Sequence, residues 1–331
     1  MALAHAARMT QALSTRHLID PQLLPVLELL PELDLDAESL PRIRENLDKM
    51  ERAEELPIEP REELIQGPDG MLEVFWFDPT PGDKDRPCLL HIHGGGMVLG
   101  SARKMTHIGA GLAASLNMPV ASIEYRLAPE APFPAPQEDC YAALVWLDTN
   151  SERLGIDRTR IGVTGESAGG GLAAAVAQMS RDRPGPKVAA QLLVYPMLDH
   201  RVGGPNDPWR NRHTGEFVWT RSSNQFGWES LRGDYVPEDA SKGWFSPSLA
   251  DDLAGLPPAW IGVGNLDLFF DEDLDYARRL VDAGVPVELH TYPGAFHAFN
   301  SMTEASVSKS FARDFRECAL RLLAGAGQDH P

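Results

Sequence analysis

Apolar positions along this chain follow two regimes. To about residue 55 they recur at helical spacing. Leu40, Ile43, Leu47 and Met50 lie three to four apart behind Ser39 and Pro41, a helix-start signal. Upstream, Pro21, Pro25 and Pro31 cut the apolar run into short pieces. From about residue 58 short apolar runs alternate with helical patterns. Strands are predicted over 71–77, 87–93, 119–125, 160–165, 191–196, 258–264 and 286–292. Between them, helices are predicted over 104–117, from Gln137 with Cys140, Leu144 and Leu147 on one face, over 168–179, and over 271–283, closed by Gly284. A last helix carries Val307, Phe311, Phe315, Cys318 and Leu322. Apolar strands separated by helices predict an α/β fold with a mostly parallel sheet covered on both faces.

One stretch breaks the alternation. From about His200 to Trp244 no period is clear, yet Trp209, Phe217, Trp219, Phe226, Trp228 and Trp244 stand among polar residues. A long insertion in an α/β domain is a functional lid or a disordered linker, and so many aromatics argue against disorder. The reading is a helical lid packing with the N-terminal helices over the C-terminal edge of the sheet. The alternative is an aromatic satellite core without ligand contact.

Composition narrows the classes. The 331 residues carry 30 basic and 48 acidic side chains, a net charge of −18. That surface repels nucleic acid and anionic lipid, and disfavours an anionic substrate unless a local basic pocket exists. No cationic pocket is evident in the sequence, so an apolar binding site is expected. No run of 18 apolar residues suggests stable membrane insertion, and the N-terminus lacks the pattern of a secretory signal. Its amphipathic look leaves interfacial binding as an alternative to a helix covering the body. Cys88, Cys140 and Cys318 are far apart, odd in number and set in apolar patterns. They are expected to be buried free thiols in a reducing, cytoplasmic compartment. No metal-ligand spacing occurs, and neither a metal nor a cofactor is expected.

The chemistry begins at Gly165-Glu166-Ser167-Ala168-Gly169, a GxSxG between a predicted strand and a predicted helix. Such a turn exposes a serine hydroxyl, and side chains at the flanking glycines would collide with neighbouring backbone. His93-Gly94-Gly95-Gly96 ends the strand at 87–93; its N–H groups, with that of Ala168, are placed to hold an oxyanion. A glycine-rich loop after a strand also suits a phosphate, but no lysine follows and GxGxxG is not matched. Serine needs a base, and the base an orienting acid. His297 lies just past the last strand and Asp267 just past the strand at 258–264. Asp271, Glu272 and Asp273 compete for the acid role but read as helix N-terminal charges. His91, on the same strand face as His93, is expected to orient the loop with it; Tyr125, Arg126 and Glu130 are expected to brace the neighbouring turn.

These residues resemble the hormone-sensitive-lipase-like (GDXG, bacterial family IV) esterases. The shared features are HGGG at 93–96, Tyr-Arg-Leu-Ala-Pro-Glu at 125–130, Phe-Pro-Ala-Pro at 133–136, GxSAGG at 165–170, Tyr195-Pro196 and GAFHAF at 294–299. The resemblance implies an eight-stranded α/β-hydrolase sheet with a helical cap: residues 1–55 and 200–245 as cap, 56–199 and 246–331 as the catalytic domain. It implies hydrolysis of short- to medium-chain carboxylic esters without a cofactor. Ser167 would be the nucleophile, His297 the base and Asp267 its partner; Gly95, Gly96 and Ala168 would donate to the oxyanion, with Gly94 the alternative to one of the glycines. It leaves the oligomeric state open between a monomer and a homodimer through the last strand and final helix, the arrangement of relatives. Three positions depart from the family. Asp267-Leu268-Phe269 replaces Asp-Pro-Leu, Glu166 stands where aspartate or threonine is common, and Met97 replaces an aromatic. An amidase or arylformamidase with the same triad, and a non-catalytic small-molecule receptor on the same fold, remain the alternatives.

Overall fold

The apolar runs become the centre of one sheet. A computed structural model describes residues 14–27, 35–49 and 55–324. Its strands are β1 Arg61–Gly67, β2 Gly70–Phe77, β3 Arg86–Ile92, β4 Val120–Ile123, β5 Ile156–Glu166, β6 Gln191–Val194, β7 Ala259–Gly264 and β8 Val287–Tyr292. Their order is β1-β2-β4-β3-β5-β6-β7-β8. β2 runs antiparallel to both neighbours, and the remaining pairs are parallel. This is the eight-stranded α/β-hydrolase sheet that the resemblance implies. β1 is the strand the apolar pattern does not reveal. As an edge strand it buries little more than Ile65 and Gly67, so its sequence stays polar.

The longer helices are α1 Leu40–Lys49, α2 Thr106–Leu116, α3 Ala135–Thr149, α4 Ala168–Asp182, α5 Arg221–Arg232, α6 Phe270–Asp282 and α7 Ser306–Leu323. Cys140, Leu144 and Leu147 of α3 join Leu172 and Val176 of α4 and Tyr276 and Leu280 of α6 on one face of the sheet. Ala110 and Ala113 of α2 and Phe311 and Phe315 of α7 pack against Phe75, Leu89 and Trp260 on the other. Two sandwiched layers remove β3 to β7 from water, which is why these strands read as continuous apolar runs. Cys88, Cys140 and Cys318 are buried and unpaired.

A third cluster sits above the C-terminal strand ends. Leu35, Leu40 and Ile43 meet Met97, Trp219, Trp228, Leu231, Phe245 and Phe269 there. The segment after β6 is irregular up to Thr220, then forms α5 and a short helix at Lys242–Phe245. Leu47 is 38% exposed, not on the buried face with Leu40 and Ile43. The reason is that α1 lies at the rim and only its first turns reach the cluster. Met50, Pro31 and the amphipathic N-terminal stretch to residue 13 lie outside the described residues. Among the described residues no helix is long and apolar enough to cross a membrane.

Candidate active site

β5 is central in the sheet, and its end delivers Ser167. The turn from β5 into α4 puts Ser167 at φ 59°, ψ −121°, a costly conformation for a residue with a Cβ. The surroundings impose it. Ser167 N–H donates to the Val194 carbonyl and Met197 N–H to the Ser167 carbonyl, each at 2.9 Å. Gly169 permits the turn: a Cβ there would lie 2.0 Å from the Ile92 carbonyl oxygen.

Two further loops complete the cluster. His297 follows β8 and Asp267 follows β7, so parallel strands bring all three side chains to one edge. His297 Nε2 lies 3.0 Å from Ser167 Oγ, and its Nδ1 lies 2.8 Å from Asp267 Oδ2. A carboxylate accepts, so Nδ1 carries the proton and the lone pair of Nε2 faces the hydroxyl. The Phe269 N–H donates to Asp267 Oδ1 at 3.0 Å, orienting the carboxylate where the family's Pro is replaced by Leu268. All three side chains are buried, Ser167 the most exposed at 6%. Tyr195, Phe269 and Trp219 surround the imidazole with ring centroids at 4.8, 5.2 and 6.3 Å.

The loop after β3 supplies donors. Gly95 (φ 122°) and Gly96 (φ 62°) turn the chain, and Met97 follows in the left-handed region at φ 64°. The N–H groups of Gly94, Gly95 and Gly96 donate to nothing among the described residues, so all three are free to receive a ligand oxygen. Ala168 begins α4, where the first N–H has no partner within its own helix.

Supporting residues differ in part from expectation. His93 Nδ1–H donates to the Gly94 carbonyl at 2.8 Å, and its ring stacks on Tyr125 at 4.2 Å. Burial pushes the His93 pKa down to about 4, so the ring is neutral. His91 does not reach the loop. Its ring bridges Ser122 Oγ, at 2.8 Å, and Glu166 Oε2, at 3.1 Å, because Ser122 lies beside it on β4. Tyr125 Oη–H donates to the His93 carbonyl. Arg126 pairs with buried Asp139 and Glu130 with Arg44. Arg44 itself has no sequence signal. From α1 its guanidinium donates to the Val98 and Ala128 carbonyls at 2.9 and 2.7 Å, tying the cap helix to the glycine loop.

Two of the acids beside Asp267 depart from the expected helix-start role. Asp271, Glu272 and Asp273 do occupy the first turn of α6, but two are not surface charges. Glu272 is buried and accepts N–H bonds from Leu198 and Asp199. Asp273 is fully buried with neither oxygen partnered, and burial drives its pKa well up. A separate groove carries arginines. About 450 Å3 is lined by Arg210, Arg212 and Arg221 beside Asp207. It lies away from the three buried side chains, and Arg210 and Arg221 turn their donors onto loop carbonyls and Asp207. Only the tertiary structure gathers these arginines.

A family model of the alpha/beta hydrolase fold matches residues 89–301. Esterase LipI of Mycobacterium tuberculosis is 34% identical over 291 residues, covering 85% of this chain and 88% of LipI. Carboxylesterase NlhH of the same species is 33% identical over 310 residues, covering 88% and 92%. A solved structure described as a bacterial heroin esterase superposes with a TM-score of 0.83 at 36% identity, covering 94% of this chain and 99% of that one.

Proposed function

This chain belongs to the hormone-sensitive-lipase-like carboxylesterases of the α/β-hydrolase fold, and from that premise we propose that it cleaves esters through an acyl-enzyme on Ser167. His297 Nε2 takes the hydroxyl proton as Ser167 Oγ attacks the ester carbonyl. Asp267 holds the imidazole in the required tautomer and stabilises the imidazolium. The carbonyl oxygen becomes an oxyanion held by the N–H groups of Gly95, Gly96 and Ala168, with Gly94 as alternative. His297 then returns the proton to the departing alcohol. Water, activated by the same nitrogen, releases the acid and frees the serine.

The observation that carries this reading is the relay of 3.0 and 2.8 Å contacts from Ser167 through His297 to Asp267, facing unengaged backbone donors. Its test is a fluorophosphonate probe followed by peptide mapping. Modification at Ser167, abolished in His297→Ala, is expected; labelling elsewhere sinks the assignment.

The finer reading rests on the lid. Residues 1–55 and 200–245 act as cap over the catalytic parts, 56–199 and 246–331. The aromatic cluster above Ser167 suits an apolar acyl group of about two to eight carbons in a site of limited volume. Rates across an ester chain-length series test this, and a preference for long-chain emulsified lipid refutes it. Three buried free thiols favour a reducing cytoplasmic setting. The open edge of β8, with Leu289 37% exposed beside α7, favours a homodimer, which sedimentation at two concentrations would test.

A further inference from the structure

Of the three rings around the imidazole, Trp219 alone comes from the lid, and its backbone is bent to bring it there. Val218 has φ 65°, an outlier for a β-branched residue. Across it, Trp219 N–H donates to the Phe217 carbonyl at 2.8 Å. A bond from residue i+2 back to i over a positive φ is the rare, strained form of γ-turn, and such strain persists only where neighbours over-determine it. The neighbours here are polar and buried. The indole Nε1–H donates to Asn224 Oδ1 at 3.1 Å, and Asn224 Nδ2–H donates to the Val202 carbonyl at 2.8 Å.

The ring so held presses on the reacting centre. A Cβ added to Gly96 would lie 2.2 Å from the Trp219 Cη2, so the indole edge rests on the glycine-loop backbone. Its centroid is 6.3 Å from the His297 imidazole, with the planes tilted by 36°. This places Trp219 on the imidazole side of the oxyanion donors. The alcohol oxygen of an ester must meet His297 Nε2 to receive its proton, so the group it carries extends past the imidazole.

We propose that Trp219 is the specificity-determining wall for the alcohol half of the ester. It admits narrow alcohols and turns away those branched at the carbinol carbon, leaving acyl length to other residues. The proposal rests on the assignment of Ser167 and His297 above.

Two ester series test it, with wild type, Trp219→Phe, Trp219→Leu and Trp219→Ala. One series joins acetate to methyl, isopropyl and cyclohexyl alcohols; the other joins methanol to acids of rising length. The isopropyl-to-methyl and cyclohexyl-to-methyl ratios of kcat/KM should rise by about tenfold or more in Trp219→Ala, the scale set by a few methylenes in an apolar pocket, and by less in the other two. The acyl series should keep its shape. Unchanged alcohol ratios in the correctly folded Phe or Leu variant overturn the proposal, as does a shift in the acyl series instead. Fluorophosphonate labelling separates the two failures. A wild type that does not label at Ser167 defeats the underlying mechanism. Labelling with unmoved alcohol ratios defeats only the role of Trp219.

Discussion

The turn carrying Ser167 and the lid turn carrying Trp219 both strain the backbone, but they are held by different means. Ser167 sits at φ 59° and Val218 at φ 65°. The first is clamped by main-chain bonds to the β6 end and the residues after it, and by glycine Cα atoms too close to backbone for a side chain. The second closes one main-chain bond of its own, Trp219 N–H to the Phe217 carbonyl, but side chains fix what surrounds it. Asp207 accepts from the N–H groups of Gly203, Trp209 and Arg210 and from Arg221, and Asn224 fixes the indole. Main-chain clamps survive most substitutions, whereas side-chain clamps are removed by one. The chemistry is therefore built into the sheet, and selectivity into a part that single mutations can reshape.

The sharpest break in this comparison is Ser167→Ala. It should leave the melting temperature near wild type while turnover falls by about 10⁴ or more, leaving only oxyanion and binding contributions. Activity near wild type would strip Ser167 of its role.

Asp207→Ala should act on the other side of the comparison. Removing a buried carboxylate that holds three N–H groups and a guanidinium should cost about 2–4 kcal/mol, read by urea melts. Selectivity between alcohols should blur while Ser167 still labels. Burial works to raise the Asp207 pKa, but its N–H partners and Arg221 prevail and hold it below the ordinary value. Its contribution is thus present above the unfolded carboxylate range and lost as pH falls through the lowered value. Acid that crosses the lowered value should loosen the lid in wild type, visible as a change in tryptophan fluorescence that is absent in Asp207→Ala.

The smallest effect is expected under α6, with the opposite sign. Burial, aided by the charges of Glu272 and Asp267, raises the Asp273 pKa. The folded protein keeps that proton while the unfolded chain releases it near pH 4. Stability from this residue is therefore complete in acid and declines as pH rises toward the raised value. Asp273→Asn should stabilise the protein by about 1–2 kcal/mol at pH 8 and by less at pH 5. An equal gain at both pH values would mean that the carboxyl is not the cause.

Legibility in the sequence followed burial. Strands covered on both faces announced themselves as apolar runs, and β3, β5 and β7 lie within a residue or a few of their expected spans. β1 escaped because an edge strand needs no such run, although Pro68-Asp69-Gly70 marks the turn into β2. The misread acids show the converse. Glu272 and Asp273 look like ordinary helix-start charges until the packing of α6 encloses them.

By itself the sequence determined the residue types and their order: a glycine loop after one strand, a serine between glycines after another, then an acid and a histidine past later strands. Strand-end positions follow from local pattern, because a parallel sheet sends every strand's C-terminus to the same edge. Only the tertiary structure decided that Asp267 rather than Asp271, Glu272 or Asp273 meets His297. It alone decided that Arg44 ties the cap to the glycine loop, and that Trp219 rests on Gly96. A hydrogen bond or a ring contact is set to within a fraction of an ångström, and segments a hundred residues apart reach that precision only through the packing of everything between them.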